Sequence, residues 1–205
     1  MSKESDKSAV RSMLRSALKS LLPQEVTEKS ERIAHQLSSF LNEFRLKNPQ
    51  KNSFVLGVYS PMQKEVNWQI IESEVTKDWN LAFPSFCEES GMKFRSGELG
   101  IIESLEFGAL LKVPNPEAQV LVPDICLIPG LGFSKKGERL GRGKGFYDRF
   151  LSDFGGLKVG LCFKEQILEV VPTEAHDVLL DFLIDESCIY HSGEPYKVRL
   201  SAEDI

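Results

Sequence analysis

Short, almost wholly apolar runs alternate along this chain with stretches of helical periodicity, and this alternation restricts the fold more than any other feature. The runs span residues 54–59, 125–128, 158–163 and 182–184. Strands buried on both faces have this appearance, so the runs predict parallel strands. Apolar spacing over 6–22 and, after Pro23, over 26–44 predicts two amphipathic helices. We therefore predict an α/β fold, with a mostly parallel sheet and helices on both faces in a three-layer, Rossmann-like arrangement.

Shorter segments give further predictions of local structure. Residues 68–75 fit one short helix, residues 80–83 fit a strand ended by Pro84, and 93–95 fit another strand. A further helix is expected from Phe146 to Phe154. Phe83 and Phe86 could form an aromatic wall of a ligand site, but packing in the hydrophobic core is the favoured interpretation of both.

The length and the charge of the chain restrict its organisation and its partners. The 205 residues fit a single domain, which we divide into a core of 5–190 and a C-terminal tail of 191–205. No apolar run approaches the roughly 18 residues that span a bilayer, and the N-terminus has no apolar signal core. The net charge of −5 argues against nucleic acid and anionic membranes as partners. We expect a cytoplasmic monomer that acts on small molecules.

The four cysteines do not form a metal-binding pattern. They lie far apart, without a C-x-x-C pair or paired histidines beside them, so no zinc site is predicted. Scattered cysteines in apolar surroundings usually serve as small core residues, and we interpret all four in this way. They are Cys87, Cys126, Cys162 and Cys188.

A basic, glycine-rich segment follows the apolar run 125–128. Between Lys135 and Arg149 there are six basic side chains against two acidic ones, a local balance of +4. Glycines alternate with cations in Gly-Arg-Gly-Lys-Gly at 141–145, so the backbone can turn tightly and present N–H groups beside positive side chains. A helix that begins at Phe146 would add its free N–H groups. This pattern indicates a polyphosphate site.

Standard phosphate motifs do not account for this segment, and an alternative stays open. A P-loop would need glycine at Glu138 and serine or threonine at Gly145, and a dinucleotide fingerprint would need glycine at Phe146. A string of Gly, Lys and Arg can also be a flexible, solvated loop. The position after a buried strand and before a helix favours phosphate binding.

The segment resembles the signature of the 5-formyltetrahydrofolate cyclo-ligases (methenyltetrahydrofolate synthetases). The similarity begins with Pro-Gly-Leu-Gly-Phe at 129–133 and continues in Gly-x-Arg-Leu-Gly-Arg-Gly-Lys-Gly-Phe-Tyr-Asp at 137–148. It extends to Ser-Pro-Met-x-x-Glu at 60–65, to Phe-Lys-Glu-Gln at 163–166 and to 171–177, and it covers roughly residues 11–184. A match of this length is far more specific than a short motif.

The resemblance implies a role for each matching residue. Mg²⁺ would be held by Asp148 and Asp177, and the folate would be bound by Met62, Glu65 and Tyr147. Catalysis would fall to Arg142, Lys144 and Tyr147. The ATP-binding set would be Arg11, Arg15, Arg139, Leu140, Gly141, Arg142, Gly143, Lys144, Gly145, Phe146, Tyr147 and Asp148.

Two of these positions depart from the family pattern. The family commonly has Lys where this chain has Arg11, and often has a second Tyr where this chain has Phe146. Arg keeps the charge of Lys but changes its geometry. Any role that needs a hydroxyl group at position 146 is not available to Phe146.

The activity implied by the resemblance is ATP-dependent cyclisation of 5-formyltetrahydrofolate to 5,10-methenyltetrahydrofolate. It would release ADP and phosphate through phosphorylation of the formyl oxygen, with ATP as co-substrate and Mg²⁺ as cofactor. Two alternatives stay open. One is a different enzyme on a similar scaffold, such as a sugar-phosphate isomerase or an acyl-CoA transferase, and the other is a binding protein without turnover.

Overall fold

In a computed structural model, two long helices are followed by an α/β arrangement with twelve strands in the described part of the chain. The structure describes residues 3–87, 91–97, 99–104, 109–174 and 177–199. Two short 3-10 helices cover Trp68–Ile71 and Lys164–Gln166. The α-helices are α1 (Lys3–Ser20), α2 (Pro23–Lys47), α3 (Glu72–Val75) and α4 (Phe146–Ser152). The strands are β1 (Phe54–Gly57), β2 (Trp79–Cys87), β3 (Gly91–Arg95), β4 (Leu99–Ser104), β5 (Ala109–Pro114), β6 (Ile125–Ile128), β7 (Gly132–Phe133), β8 (Arg139–Leu140), β9 (Leu157–Leu161), β10 (Phe182–Ile184), β11 (Ile189–His191) and β12 (Glu194–Tyr196).

Within the described ranges, eight strands form one mixed sheet in the order β12-β11-β10-β9-β6-β1-β2-β3. The central strands β10, β9, β6, β1 and β2 pair in parallel, and β3, β11 and β12 join the edges antiparallel. Strands β4 with β5 and β7 with β8 form separate two-stranded sheets. The predicted mostly parallel α/β fold is confirmed.

The two faces of the sheet are covered by different helices. Leu56, Leu127 and Val159 point to the face that packs against α1 and α2, as expected from the alternation of side chains along a strand. Cys126 and Ile128, two residues apart on β6, both point to the opposite face, where α4 contributes Leu151. Helices therefore lie on both faces, as predicted.

Two of the predicted core cysteines, Cys126 and Cys162, are fully buried. Burial raises the pKa of both thiols, so they stay protonated at neutral pH. Cys188 is half-buried, and the side chain of Cys87 lies outside the described part of the chain.

The prediction that Pro84 ends a strand is wrong, because β2 continues to Cys87 and Pro84 pairs with Phe94 of β3. The parallel pairing of β2 with β1 reaches only Ala82. Proline lacks an N–H group, and it is tolerated in a strand where one side has no ladder partner. Pro84 occupies such a position in the described pairings.

Other boundaries also differ from the sequence prediction, including the ends of β1 at Gly57 and of β9 at Leu161. The helix predicted over 68–75 is a 3-10 turn followed by the single α-turn of α3, and α4 ends at Ser152. Strands β11 and β12 extend the sheet to Tyr196, so His191 and residues 194–196 of the predicted tail pair within it. Residues 200–205 of that tail lie outside the described residues.

Strands β2 and β6 flank β1 on opposite sides, although β1 comes first in the chain. The chain connections therefore diverge at β1 and β6, and open parallel sheets bind ligands outside the carboxyl ends of strands at such a point.

None of the helices in the described ranges has an apolar stretch of the length that crossing a membrane requires.

Candidate active site

A cleft of about 820 Å³, part of it open to solvent, lies at the carboxyl ends of β1 and β6. Residues that follow β1 form one wall, the end of β2 forms a second, and the segment from β8 to α4 forms a third. The lining residues are Tyr59, Ser60, Met62, Glu65, Pro84, Phe86, Val113, Pro129, Gly130, Arg139, Gly141, Arg142, Gly143, Lys144, Gly145, Phe146, Tyr147 and Asp148.

The glycine loop, residues 141–145, joins β8 to α4, which begins at Phe146 as predicted. Gly143 and Gly145 have φ angles of 106° and 67°, which L side chains rarely adopt. Helix α1 holds this loop from outside, because Arg11 Nε donates a hydrogen bond to the carbonyl oxygen of Gly141 at 3.0 Å. The Arg11 guanidinium lies 3.6 Å from where a Cβ at Gly143 would stand.

Arg139 lies under the cleft with its side chain 5% exposed. One terminal nitrogen donates to the carbonyl oxygen of Pro129 at 3.1 Å, and the other forms an ion pair with Asp148. The guanidinium carbon stands 5.6 Å from the ring centroid of Tyr147. Within the described part of the chain, its buried Nε has no hydrogen-bond partner. Arg139 thus links Pro129, just after β6, to Asp148 in α4.

Arg142 and Glu65 form an ion pair inside the cleft. Arg142 Nη2 lies 2.7 Å, and its Nε 3.2 Å, from the same carboxylate oxygen, Glu65 Oε1. The other oxygen, Oε2, accepts a hydrogen bond from the backbone N–H of Met62 at 2.9 Å. The Glu65 side chain is 6% exposed, whereas that of Arg142 is 33% exposed.

A local turn places Glu65 in this position. Its backbone N–H donates to the carbonyl oxygen of Met62 at 3.0 Å, and Lys64 between them has a φ angle of 66°. A left-handed Lys costs free energy that neighbouring contacts must offset. The Lys64 side chain supplies one such contact, a hydrogen bond from its Nζ to the carbonyl oxygen of Leu21.

Aromatic side chains complete the walls of the cleft. Tyr147 is half-buried, and burial raises the pKa of its phenol well above the usual value. The hydroxyl group therefore stays protonated at neutral pH and can donate a hydrogen bond. Phe86 and Phe146 have ring centroids 4.8 Å apart. The interpretation of Phe83 as a core residue is confirmed, but for Phe86 it is wrong, because Phe86 is 41% exposed and lines the cleft.

Most of the residues predicted for the site meet in this cleft, but Arg11, Arg15, Leu140 and Asp177 do not line it. Arg11 instead bonds to the glycine loop from α1. Arg15 is exposed on α1, and the side chain of Leu140 is 2% exposed in the hydrophobic core. Asp177 lies elsewhere, beside α1. The residues brought together are Met62, Glu65, Arg139, Gly141, Arg142, Gly143, Lys144, Gly145, Phe146, Tyr147 and Asp148.

Sequence reasoning missed Lys7, which binds Asp177. Lys7 Nζ lies 2.9 Å from both Glu174 Oε2 and Asp177 Oδ2, and the Lys7 side chain is 10% exposed. Burial lowers the pKa of Lys7, but the hydrogen bonds and charges of Glu174 and Asp177 outweigh it and leave the pKa raised. Lys7 stands four residues before Arg11, so the helical repeat of basic residues could have revealed it.

The two predicted magnesium ligands have different partners. Asp148 pairs with Arg139, and Asp177 pairs with Lys7. In the part of the chain that the structure describes, no group of three or more His, Cys, Asp or Glu side chains is placed to hold a metal ion. His176, within the resembling stretch 171–177, lies outside the described residues.

Comparisons with known proteins find similarity over most of the chain. The model of the 5-formyltetrahydrofolate cyclo-ligase family matches residues 3–186. The chain is similar to the mouse 5-formyltetrahydrofolate cyclo-ligase, with 27% identity over 161 residues, 68% of this chain and 76% of the mouse protein. It is also similar to the Haemophilus influenzae protein of that name, with 46% identity over 79 residues, 35% of this chain and 42% of the relative.

A solved structure has the same fold. The NMR structure of the Aquifex aeolicus 5,10-methenyltetrahydrofolate synthetase superposes with a TM-score of 0.75 at 29% identity. The superposition covers 96% of this chain and 97% of the Aquifex chain. The similarity therefore extends over the sheet, the helices and the cleft.

Proposed function

Because the chain belongs to the 5-formyltetrahydrofolate cyclo-ligase family, we propose that it converts 5-formyltetrahydrofolate to 5,10-methenyltetrahydrofolate with release of ADP and phosphate. The observation that carries this proposal is the composition of one cleft. It combines a buried carboxylate, Glu65, with a glycine loop that bears Arg142 and Lys144. The first suits a pterin and the second suits a triphosphate, and the reaction requires both ligands side by side.

We assign the phosphates of ATP to the glycine loop. Gly143 and Gly145 allow the backbone to present N–H groups, and the side chains of Arg142 and Lys144 are accessible from the cleft. Arg11 supports the loop through Gly141 and adds positive charge from behind. Arg15 remains a proposed phosphate ligand because its exposed side chain is long and unhindered.

We assign the pterin to the wall formed by Met62 and Glu65. A carboxylate can accept two hydrogen bonds from an aminopyrimidine, and a buried carboxylate does so without competition from water. Tyr147 lines the same cleft, and its protonated hydroxyl group can donate a hydrogen bond to a ligand oxygen. Phe86 and Phe146 offer apolar surface for the flat parts of the folate.

The donor set of the cleft fits Mg²⁺ only together with phosphate oxygens. Mg²⁺ usually takes one or two carboxylates and completes its shell with water and substrate phosphates. Asp148 lines the cleft beside the glycine loop, and we propose it as the carboxylate ligand, with Asp177 as a second ligand near α1. When bound, Mg²⁺ would neutralise phosphate charge as phosphoryl transfer proceeds.

The reaction proceeds in two steps on the substrates. The formyl oxygen attacks the γ-phosphorus of ATP, the bond from that phosphorus to the bridging oxygen breaks, and ADP leaves. The N10 nitrogen then bonds to the formyl carbon, phosphate leaves from that carbon, and N10 loses its proton. The protein aligns the two substrates and stabilises the charge of the transferring phosphoryl group, as is general for phosphoryl transfer.

The test is a spectrophotometric assay of the methenyl product, combined with measurement of ADP. We expect product only when ATP, Mg²⁺ and 5-formyltetrahydrofolate are all present, with one ADP for each product molecule. ADP formation without formyl-folate would indicate a different enzyme on the same scaffold. Binding of both ligands without any product would indicate a binding protein. Either outcome would refute the proposal.

We also propose that the protein acts in the cytoplasm as a monomer on small molecules. The net charge of −5 disfavours general affinity for nucleic acid or anionic lipid. Light scattering after size-exclusion chromatography tests the monomer, and cell fractionation tests the location. A stable dimer, or recovery from a membrane fraction, would refute the corresponding statement.

A further inference from the structure

The Glu65–Arg142 ion pair joins residues that we assign to two different substrates. The two residues are 77 positions apart in the chain, and they meet only because the loop after β1 faces the glycine loop across the cleft. Both carboxylate oxygens are in use, one by Arg142 and the other by the backbone of Met62. Without ligands, the pterin wall and the phosphate loop thus neutralise each other.

Neither substrate can make its full set of contacts while this pair stays closed. An aminopyrimidine that donates two hydrogen bonds needs acceptor positions on Glu65 that Arg142 now occupies. The Nε and Nη2 edge of Arg142 is one of the two edges through which a guanidinium can bind phosphate in a bidentate way, and that edge now faces Glu65. A substrate that binds Glu65, or this edge of Arg142, must therefore displace the other residue of the pair.

The two residues differ in what happens after the pair opens. Arg142 is 33% exposed, so water can solvate a released guanidinium. Glu65 is 6% exposed, so a released carboxylate stays in a poorly hydrated place, which costs free energy. A second substrate that supplies the missing partner removes that cost. The complex with both substrates is the state in which every charge again has a partner.

We propose that the Glu65–Arg142 pair couples the two substrate sites, so that each substrate raises the affinity of the cleft for the other. This inference rests on the proposed function, because it takes the pterin and the triphosphate as the two ligands. The ligand that binds first opens the pair, and the second binds without that cost. The coupling is reciprocal, since linkage requires the same factor in both directions.

The coupling is measured as a ratio of dissociation constants in the unmodified protein. Isothermal titration gives the Kd of a non-hydrolysable ATP analogue with Mg²⁺, first alone and then with saturating 5-formyltetrahydrofolate. We expect the Kd to fall by about 5- to 150-fold, the usual range of coupling between sites. The reverse titration, with 5-formyltetrahydrofolate as the titrant, must give the same ratio.

Glu65→Gln tests whether the ion pair is the source of the coupling. The amide is close in size to the carboxylate but carries no charge, so its release costs less than release of the carboxylate. We expect the ratio to fall to near one. Arg142→Gln removes the cation of the pair, and we expect the ratio to fall to near one in this variant as well. Two variants keep the test informative if one of them binds its ligand too weakly to be measured. Circular dichroism confirms that each variant is folded.

Arg45→Gln is the matched control. Arg45 on α2 forms an ion pair with Asp78 at 2.8 Å, and its side chain is also 33% exposed, but it does not line the cleft. This variant should keep the full ratio, and loss of the ratio in it would overturn the assignment to the Glu65–Arg142 pair.

The other outcomes separate this inference from the proposed function. A ratio of one in the unmodified protein, with both ligands bound, would overturn the coupling and leave the function intact. An undiminished ratio in both cleft variants would overturn the role of the pair. Failure of either ligand to bind would overturn the proposed function and the inference with it.

Discussion

The two ends of the basic segment use the same residue type in opposite ways. At the strand end, Arg139 on β8 is nearly buried and bonds to Pro129 and Asp148. At the loop end, Arg142 is one-third exposed and bonds to Glu65 alone among the side chains that the structure describes around it. The two arginines are three residues apart in one continuous motif.

The difference shows that a cation-rich motif divides into support and ligand contact according to burial. A buried guanidinium with several fixed partners holds its neighbours in place, and it cannot turn to a ligand without leaving those partners unsatisfied. A guanidinium that is one-third exposed and has one ionic partner, such as that of Arg142, can exchange that partner for a phosphate. We therefore expect Arg139 to act mainly on stability and Arg142 mainly on turnover, and the following variants test this division.

Arg139→Met should have the largest effect, a loss of about 3 kcal/mol in the free energy of unfolding. The substitution leaves Asp148 without its cation and the Pro129 carbonyl without its donor, and breaking a buried pair typically costs about 3–5 kcal/mol. Urea titration measures the change. Arg149→Met is the control, since Arg149 is exposed and should stay within about 0.5 kcal/mol. Equal stability of the two variants would remove Arg139 from the supporting role.

Arg142→Ala should lower kcat/KM on the order of a hundredfold or more, about 2.7 kcal/mol, as expected for loss of one donor to transition-state charge. The rate of methenyl product formation measures this change. Arg45→Ala has a side chain of equal exposure on α2 and should keep the wild-type rate. A wild-type kcat/KM in the Arg142→Ala variant would refute the division between the two arginines.

Lys7→Met extends the comparison to a third cation, which resembles Arg139 in burial. The substitution leaves Asp177 and Glu174 without their shared lysine. We expect a loss of about 2 kcal/mol in the free energy of unfolding. This is less than the cost of breaking a fully buried ion pair, because Glu174 is 39% exposed and water screens its charge. Thermal and urea unfolding measure the effect. Lys19→Met, on the exposed face of the same helix, should be near neutral. A neutral Lys7→Met variant would make Lys7 a surface cation rather than a support.

The same lysine predicts a pH dependence. The pKa of Lys7 in the folded protein is raised above its usual value of 10.5, so its contribution to stability is complete below that pH. The contribution is lost as the pH rises through the folded-state pKa. The difference in unfolding free energy between wild type and Lys7→Met should therefore be constant near neutral pH and shrink above about pH 10.5. A difference that grew with rising pH would contradict the assignment.

Gly143→Ala should have the smallest effect, a loss of about 1 kcal/mol in stability. Its φ angle of 106° is unfavourable for alanine, but the nearest atom of Arg11 would lie 3.6 Å from the new methyl group, so the cost is backbone strain alone. Gly155→Ala is the control, because it has neither a positive φ nor an atom within 4 Å. A larger loss for Gly155→Ala than for Gly143→Ala would show that strain in the loop is not the cause.

The sequence predicted what lies close together in the chain. The glycine loop, the start of α4 and the buried strands each depend on neighbouring residues, and a polyphosphate site could be inferred from Gly-Arg-Gly-Lys-Gly without knowledge of the fold. The family resemblance added Glu65 and Met62, which do line the same cleft. The start of α4 and the buried strands are confirmed because each depends on the spacing of residues that are close together in the chain.

What the sequence could not predict depends on distant pairing. The contact of Arg142 with Glu65 spans 77 residues and that of Lys7 with Asp177 spans 170, and no periodicity reports on such distances. The burial of Arg139 is also not visible in the sequence, which shows only its charge. Pro84 was interpreted as a strand end because its single-sided pairing depends on where β1 stops.

The attachment of α1 to the glycine loop also has a consequence for biosynthesis. Arg11 reaches Gly141 across 130 residues, and Lys7 reaches Asp177 across 170. A ribosome makes α1 first and the loops that it braces much later, and contacts of large sequence separation form slowly. While the nascent chain is growing, α1 therefore lacks its final neighbours until synthesis has passed first Gly141 and then Asp177.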